Sequence, residues 1–225
     1  MKKKIIISLI FFAAVLPSLI ISQQKDSKSS FTIVRVKYSG GGDWYIDQSS
    51  LPNLLKFIKE NTNIDAASKE LRVEISDEAL FSYPYIYITG HGNIRLSEEE
   101  VKRLRKYLTG GGFLHADDCY GMDKSFRREM KRVFPDKEFV ELPFSHGIYH
   151  CMFEFRNGLP KIHEHDGGPP HGYALFHKGR MIVFYSFNTD LGDGWEDFEV
   201  HKDPQEKRID ALKMGTNIVF WALTH

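Results

Sequence analysis

Gly110-Gly111-Gly112-Phe113-Leu114-His115-Ala116-Asp117-Asp118-Cys119-Tyr120-Gly121 is the stretch whose reading decides the fold. The glycines close a helix, because a left-handed residue at a C-cap costs glycine least. Phe113 to Ala116 is a short apolar strand, and Asp117-Asp118-Cys119 is a polar turn before the next helix. A strand entered from one helix and left for another is the repeating unit of a parallel α/β sheet. The turn then lies at the strand's carboxyl end, where sheets of this kind bind their ligands.

Working outward, the upstream segment supports the same unit. Pro84 to Thr89 is a nearly continuous apolar and β-branched run, as expected of a strand covered on both faces, and Gly90-His91-Gly92 breaks it. Ser97 with Glu100 forms a capping box, and Leu96 with Val101 a hydrophobic staple, so a helix starts there and presents Val101, Leu104 and Leu108 to the core. Further back, Phe31 to Tyr38 reads as a first strand, Ser50 to Asn61 as an amphipathic helix, and Leu71 to Ile75 as an edge strand. Downstream, Met122, Phe126, Met130 and Val133 mark a helix stopped at Pro135. Phe139 to Leu142 and Cys151 to Phe155 read as short strands. Tyr173 to His177 and Met181 to Tyr185 form a hairpin about Lys178-Gly179. Asn188 to Asp197 reads as a polar loop, and a final helix capped at Asp203 to Glu206 buries Ile209, Leu212, Val219 and Leu223. The expected fold is α/β: a doubly wound, mostly parallel sheet with helices on both faces and a late β-hairpin.

The 225 residues suit one such domain. Thirty basic residues balance thirty acidic ones, which removes the electrostatic footprint of a general nucleic-acid binder. Lys2-Lys3-Lys4 followed by the apolar run Ile5 to Ile21 has the form of a secretory signal cleaved near Ser22, with 23–30 a polar linker and 31–225 the folded domain. The expectation is a periplasmic or extracellular protein that meets the membrane only through this segment before cleavage. Cys119 and Cys151 would then share an oxidising compartment, where they either pair or stay free.

Several groups carry candidate chemistry. Asp117 and Asp118 at a strand end suit a general base, a metal ligand or a hydroxyl acceptor, or else cap the following helix. Trp44, Tyr45 and Trp195, with Asp190, Asp193, Glu196 and His91, suit stacking and hydrogen bonding of a sugar-like ligand, or else close the core under loops. Six of the ten histidines lie between His146 and His177. His146-x-x-x-His150 has ligand-like spacing, and His163-Glu164-His165-Asp166 is dense enough for a divalent metal, without a recognised zinc pattern. Gly40-Gly41-Gly42 lacks the spacing of a dinucleotide loop, so no nucleotide cofactor is expected.

Pro84 to His91, the Ser97 helix, Gly110 to Asp118 and Asp190-Leu191-Gly192-Asp193-Gly194-Trp195 together resemble the DUF4159 family, a group of unknown function in the class I glutamine amidotransferase-like superfamily. The resemblance implies a flavodoxin-like sheet and no assigned activity. Amidotransferases of that superfamily present a thiol on a Gly-x-Cys-x-Gly elbow. Cys119 and Gly121 match its second half, and Gly90-His91-Gly92 falls where an oxyanion loop would lie. Asp117 stands in place of the first glycine, and Asn188-Thr189-Asp190 follows the late strand where the catalytic His would come, so glutamine amidotransfer is not expected. The reading is an exported domain that binds a small polar or carbohydrate-like ligand at the strand ends. A hydrolase, metal-assisted or dependent on Cys119, and a non-catalytic cell-envelope interaction protein are the alternatives.

Overall fold

A computed structural model describes residues 30–164 and 167–225, so the expected signal segment, nearly all of the linker, and His165 with Asp166 lie outside the described residues. The chain runs β1 (Val34–Lys37), α1 (Ser50–Asn61), β2 (Leu71–Glu74), β3 (Tyr85–Ile88), α2 (Glu98–Thr109), β4 (Phe113–Asp117), α3 (Asp123–Val133), β5 (Val140–Glu141), β6 (His171–His177), β7 (Arg180–Phe187), α4 (Leu191–Trp195), α5 (Phe198–His201) and α6 (Gln205–Thr224). One seven-stranded sheet has the order β2-β1-β3-β4-β7-β6-β5. The pairings from β2 to β7 are parallel, and β6 and β5 add antiparallel strands at one edge. This is the flavodoxin-like, mostly parallel α/β sheet. Among the described residues no helix is long and apolar enough to cross a membrane.

Strand alternation divides the core in two. Ile86, Ile88, Leu114, Ala116, Val183 and Tyr185 pack against α2 and α3, while Tyr85, Tyr87, Phe113 and Phe184 pack against α1, α4 and α6. The capping box at Ser97 is formed on both sides, and Leu96 and Val101 are buried together beneath it. Gly111 takes the left-handed turn (φ +119) that lets the chain leave α2 and enter β4.

Two features shape the loops at the carboxyl edge. Arg35, 0% exposed, donates to the carbonyls of Ile46 at 2.8 Å, Asp47 at 2.9 Å and Trp44 at 3.3 Å. A strand arginine thus fixes the β1–α1 loop from which Asp43 and Asp47 project. The first turn of α1 has no cap from its own N-cap residue Ser49; instead the Glu196 carboxylate accepts from the backbone amides of Ser49 at 3.0 Å and Ser50 at 3.1 Å. That bond ties the segment after α4 to α1 and favours the helix dipole.

Several expectations are corrected. Cys151 to Phe155 is not a strand: the amides of Met152 and Phe153 donate to the side-chain oxygen of Asn217, whose Nδ2 donates back to Phe153 O. A side chain on α6 takes the place of a strand neighbour. Asn188 to Asp197 is not simply a polar loop, because 191–195 forms the buried turn α4. Gly194 there leaves room for Ala211, whose Cβ would lie 2.5 Å from an added Cβ. α6 buries Val219 as expected, with Leu212 partly buried against the core, but Ala211, Met214 and Ile218 make its main core face, Leu223 is exposed, and the helix has no side-chain cap.

Candidate functional site

Tyr85 and Tyr87 on β3, His115 and Asp117 on β4, and Ser186 on β7 project from one face of adjacent strands. They form a closed buried chain. Tyr85 OH lies 3.0 Å from His115 Nδ1, His115 Nε2 is 2.9 Å from Ser186 Oγ, and Ser186 donates to Asp117 Oδ1 at 2.5 Å. One proton order satisfies every atom: Tyr85 donates to His115, Nε2–H donates to Ser186, and Ser186 donates to Asp117. Burial holds His115 down at about 3, so its imidazole is neutral. Despite its Ser, His and Asp members, this chain is sealed from solvent and has no access for a substrate.

Asp117 Oδ2 accepts from Gly192 N at 2.7 Å and from Tyr87 OH at 3.3 Å. Burial pushes this carboxyl up to about 7, although Ser186 and Gly192 both stabilise its charge. Asp117 therefore anchors α4 to β4 and positions that turn. Its neighbour Asp118 points to the opposite face, where Oδ1 accepts from Met122 N at 3.3 Å ahead of α3. The two carboxylates do not meet over one ligand, as alternation along the chain requires.

Cys119 comes next and is 3% exposed. Its Sγ lies 3.7 Å from His91 Nε2, and His91 Nδ1 lies 3.1 Å from Asp43 Oδ2. Asp43 also accepts from the His91 backbone amide. The line Asp43–His91–Cys119 has the order of a cysteine-nucleophile triad. The electrostatics oppose that use: burial first, and then the charges of Asp193 and Asp47, drive the thiol far above its ordinary range. Both cysteines are free, so the pairing considered for Cys119 and Cys151 is not formed.

The other side of Cys119 faces Asp193, which is the hub of the site. Cys119 Sγ donates to Asp193 Oδ1 at 3.5 Å, and the same oxygen lies 3.7 Å from His201 Nε2. Asp193 Oδ2 is 2.8 Å from His163 Nδ1, while His163 Nε2 is 3.0 Å from Asp203 Oδ2. Asp190 Oδ2 stands 3.9 Å from His163 Nδ1, the nitrogen that faces Asp193. Ligand atoms of His163, Asp193 and His201 all lie within 4.8 Å of one another, as do those of Asp47, Cys119 and Asp193. The hydrogen bond that His163 donates to Asp193 raises the imidazole to about 9 against the pull of burial. Burial, with the charges of Asp117 and Asp193, raises Asp190 to about 8, and burial with Asp193 raises Asp47. Carboxylates outnumber cations here, so positive charge placed among them would be strongly favoured.

The remaining sequence candidates fall elsewhere. Trp195 is 0% exposed and its Nε1 donates to Ala211 O at 2.8 Å, so it closes the core and offers no face to a sugar. Trp44 is half-buried against the sheet with Lys37 over its ring, and Tyr45 meets it edge-on. His146 accepts from Ile148 N and packs on Trp221. Both ring nitrogens of His150 are engaged, by Glu154 at 3.0 Å and Phe144 O at 2.7 Å. Neither joins a ligand cluster among the described residues, and His165 lies outside them. Sequence reasoning missed Asp43, Asp47, His201 and Asp203 as site residues. From the sequence Asp203 reads only as part of the α6 cap, and nothing local marks Asp43, on the loop between β1 and α1. His201-x-Asp203, separated from His163 by nearly forty residues, carries no signal until α5 folds back.

The sequence profile of the domain of unknown function DUF4159 matches residues 32–223. No protein of curated function matches the chain.

Proposed function

The chain belongs to the DUF4159 family, and from the geometry of its carboxyl edge we propose that it binds a divalent transition-metal ion between His163, Asp193 and His201 and uses it for hydrolysis of a small polar substrate. One observation carries this reading. Asp193 turns one oxygen to His163 Nδ1 at 2.8 Å and the other to His201 Nε2 at 3.7 Å, while Asp203 holds the far nitrogen of His163 at 3.0 Å. Imidazole and carboxylate are zinc-type ligands, and a tetrahedral ion spaces its ligand atoms roughly 3.4 Å apart. A carboxylate on the outer nitrogen of a ligating His is the usual support for such a bond, since it fixes the tautomer and the ring. Bound metal would supply a polarised water as nucleophile.

His91 is the proton-transfer group in this scheme. Asp43 fixes its Nδ1, which leaves Nε2 turned toward the metal side of the edge, and its side chain is 48% exposed. His91 is thus open to solvent beside a ligand set in which Asp193 is buried and His201 is exposed. The Lys2 to Ile21 pattern supports export, so the site is read as working outside the cytoplasm.

Saturating zinc tests the metal reading. At about 100 times the dissociation constant, a ligand held only by the folded state adds about 2.7 kcal/mol. For a domain of this size that raises the melting temperature by roughly 5–10 °C. The rise is expected in the purified protein and is expected to be smaller in the His163→Ala/His201→Ala double variant. Chelation is expected to abolish turnover of 4-nitrophenyl esters or phosphates, and zinc to restore it. Equal melting with and without zinc would contradict metal binding; a melting rise without metal-dependent turnover would leave a binding protein and remove the hydrolase.

A further inference from the structure

The ion between His163, Asp193 and His201 leaves the inner side of Asp193 unexplained. There Asp47, Cys119 and Asp193 bring two carboxylate oxygens and a sulfur within 4.8 Å of one another. Carboxylates packed for structure alone would be expected to have their oxygens satisfied. Asp47 Oδ2 is instead buried with no hydrogen-bond partner among the described residues.

A second oxygen in the same wall is also unpartnered. Thr89, 1% exposed, follows Tyr87 by two residues at the end of β3, and its Oγ1 lies beside the Tyr87 phenol. Tyr87 in turn donates to Asp117. The space between these groups is kept by a glycine: a Cβ on Gly192 would lie 2.9 Å from Tyr87 OH, 3.0 Å from Asp47 Oδ2 and 3.2 Å from Asp117 Oδ2. Asp47 is also held firmly in place, because it sits in the left-handed region (φ +53) and Arg35 grips its carbonyl at 2.9 Å.

Building on the metal reading above, we propose that Asp47, Cys119 and Asp193 hold a second divalent metal ion, joined to the first through the Asp193 carboxylate. Metal–sulfur and metal–oxygen bonds of about 2.3 and 2.0–2.2 Å are reached by small movements of groups already within 4.8 Å of one another. As the metal–sulfur bond forms, the S–H bond breaks and its proton leaves to solvent. Two ions sharing one carboxylate stand about 3.5–4 Å apart, the spacing at which they clamp the attacking and leaving oxygens of one displacement. This assigns Cys119 as a ligand, which explains a thiol set among carboxylates better than a nucleophile does.

Titration of the purified protein with cobalt(II) tests the second site separately from the first. Two equivalents are expected, with sulfur-to-cobalt charge-transfer absorption appearing on the second. Cys119→Ala is expected to bind one equivalent without that absorption. Asp47→Asn, which keeps the side-chain shape, is expected to weaken the second equivalent at least about 10-fold and leave the first unmoved. One equivalent in the unaltered protein, without the sulfur absorption, overturns the second site and leaves the first standing. Sulfur absorption on the first equivalent, or two equally tight equivalents in Asp47→Asn, also overturns it. No bound cobalt overturns both readings.

Discussion

Asp193→Asn is expected to weaken zinc binding by more than about 100-fold while the protein stays folded. The side chain presents one oxygen to His163 and the other to His201 and Cys119, so a single amide touches every ligand of the site. Asn keeps the volume and one carbonyl oxygen but loses the charge that both imidazoles and the ion share. Loss of an outer-shell partner typically costs 10–100-fold, and removal of the central ligand should exceed that range. Asp203→Asn supplies the comparison: among the described residues its carboxylate bonds to His163 Nε2 and to none of the other ligands, and its expected cost lies within the outer-shell range. Calorimetric titration of the two variants separates them. Equal affinities in Asp193→Asn and the unaltered protein would place the ion elsewhere.

The second large effect concerns His91. His91→Ala is expected to lower metal-dependent turnover by about 10²–10⁴-fold with metal content unchanged, the range for removal of a positioned acid or base. The imidazole contacts Asp43 and the Cys119 sulfur and is half open to solvent, so its loss leaves the core intact. Asp43→Asn is expected to fall between the two proteins, because the imidazole remains but its orientation and tautomer are no longer held by a charge. If His91→Ala turns over normally, the proton-transfer role is wrong even though the metal site survives.

Much of the fold was legible because local signals agreed with one another. The capping box at Ser97, the left-handed glycine after α2 and the Lys178-Gly179 turn each fix backbone geometry within a few residues, and all three formed. α1 was legible from its apolar spacing over the same residues that form it. Cys151 to Phe155 failed because its hydrogen-bond partner is the Asn217 side chain, a contact across more than sixty positions. α4 failed because glycines and aspartates favour turns in isolation, whereas here Asp117 accepts from Gly192 and the turn is drawn into the core.

The site divided in the same way. His91, Cys119, Asp190 and Asp193 were visible as polar residues at the ends of apolar strands, and they lie together at that edge. Their roles were not visible. Asp117 and Asp118 are adjacent in sequence but serve opposite faces, one anchoring α4 and the other the start of α3. Trp195 looked like a ligand platform because its neighbours are polar, yet its ring supports Tyr87 and His115 from within the core. His201 and Asp203 belong to the site only because the chain returns across α4 before α6 begins.

The most direct test of the account is anomalous X-ray scattering at the zinc edge from crystals grown with zinc. A peak is expected bonded to His163, Asp193 and His201 at about 2.0–2.2 Å, with Asp203 still on the outer nitrogen of His163. Crystals that show no peak there, with His163 still paired directly to Asp193, would contradict it.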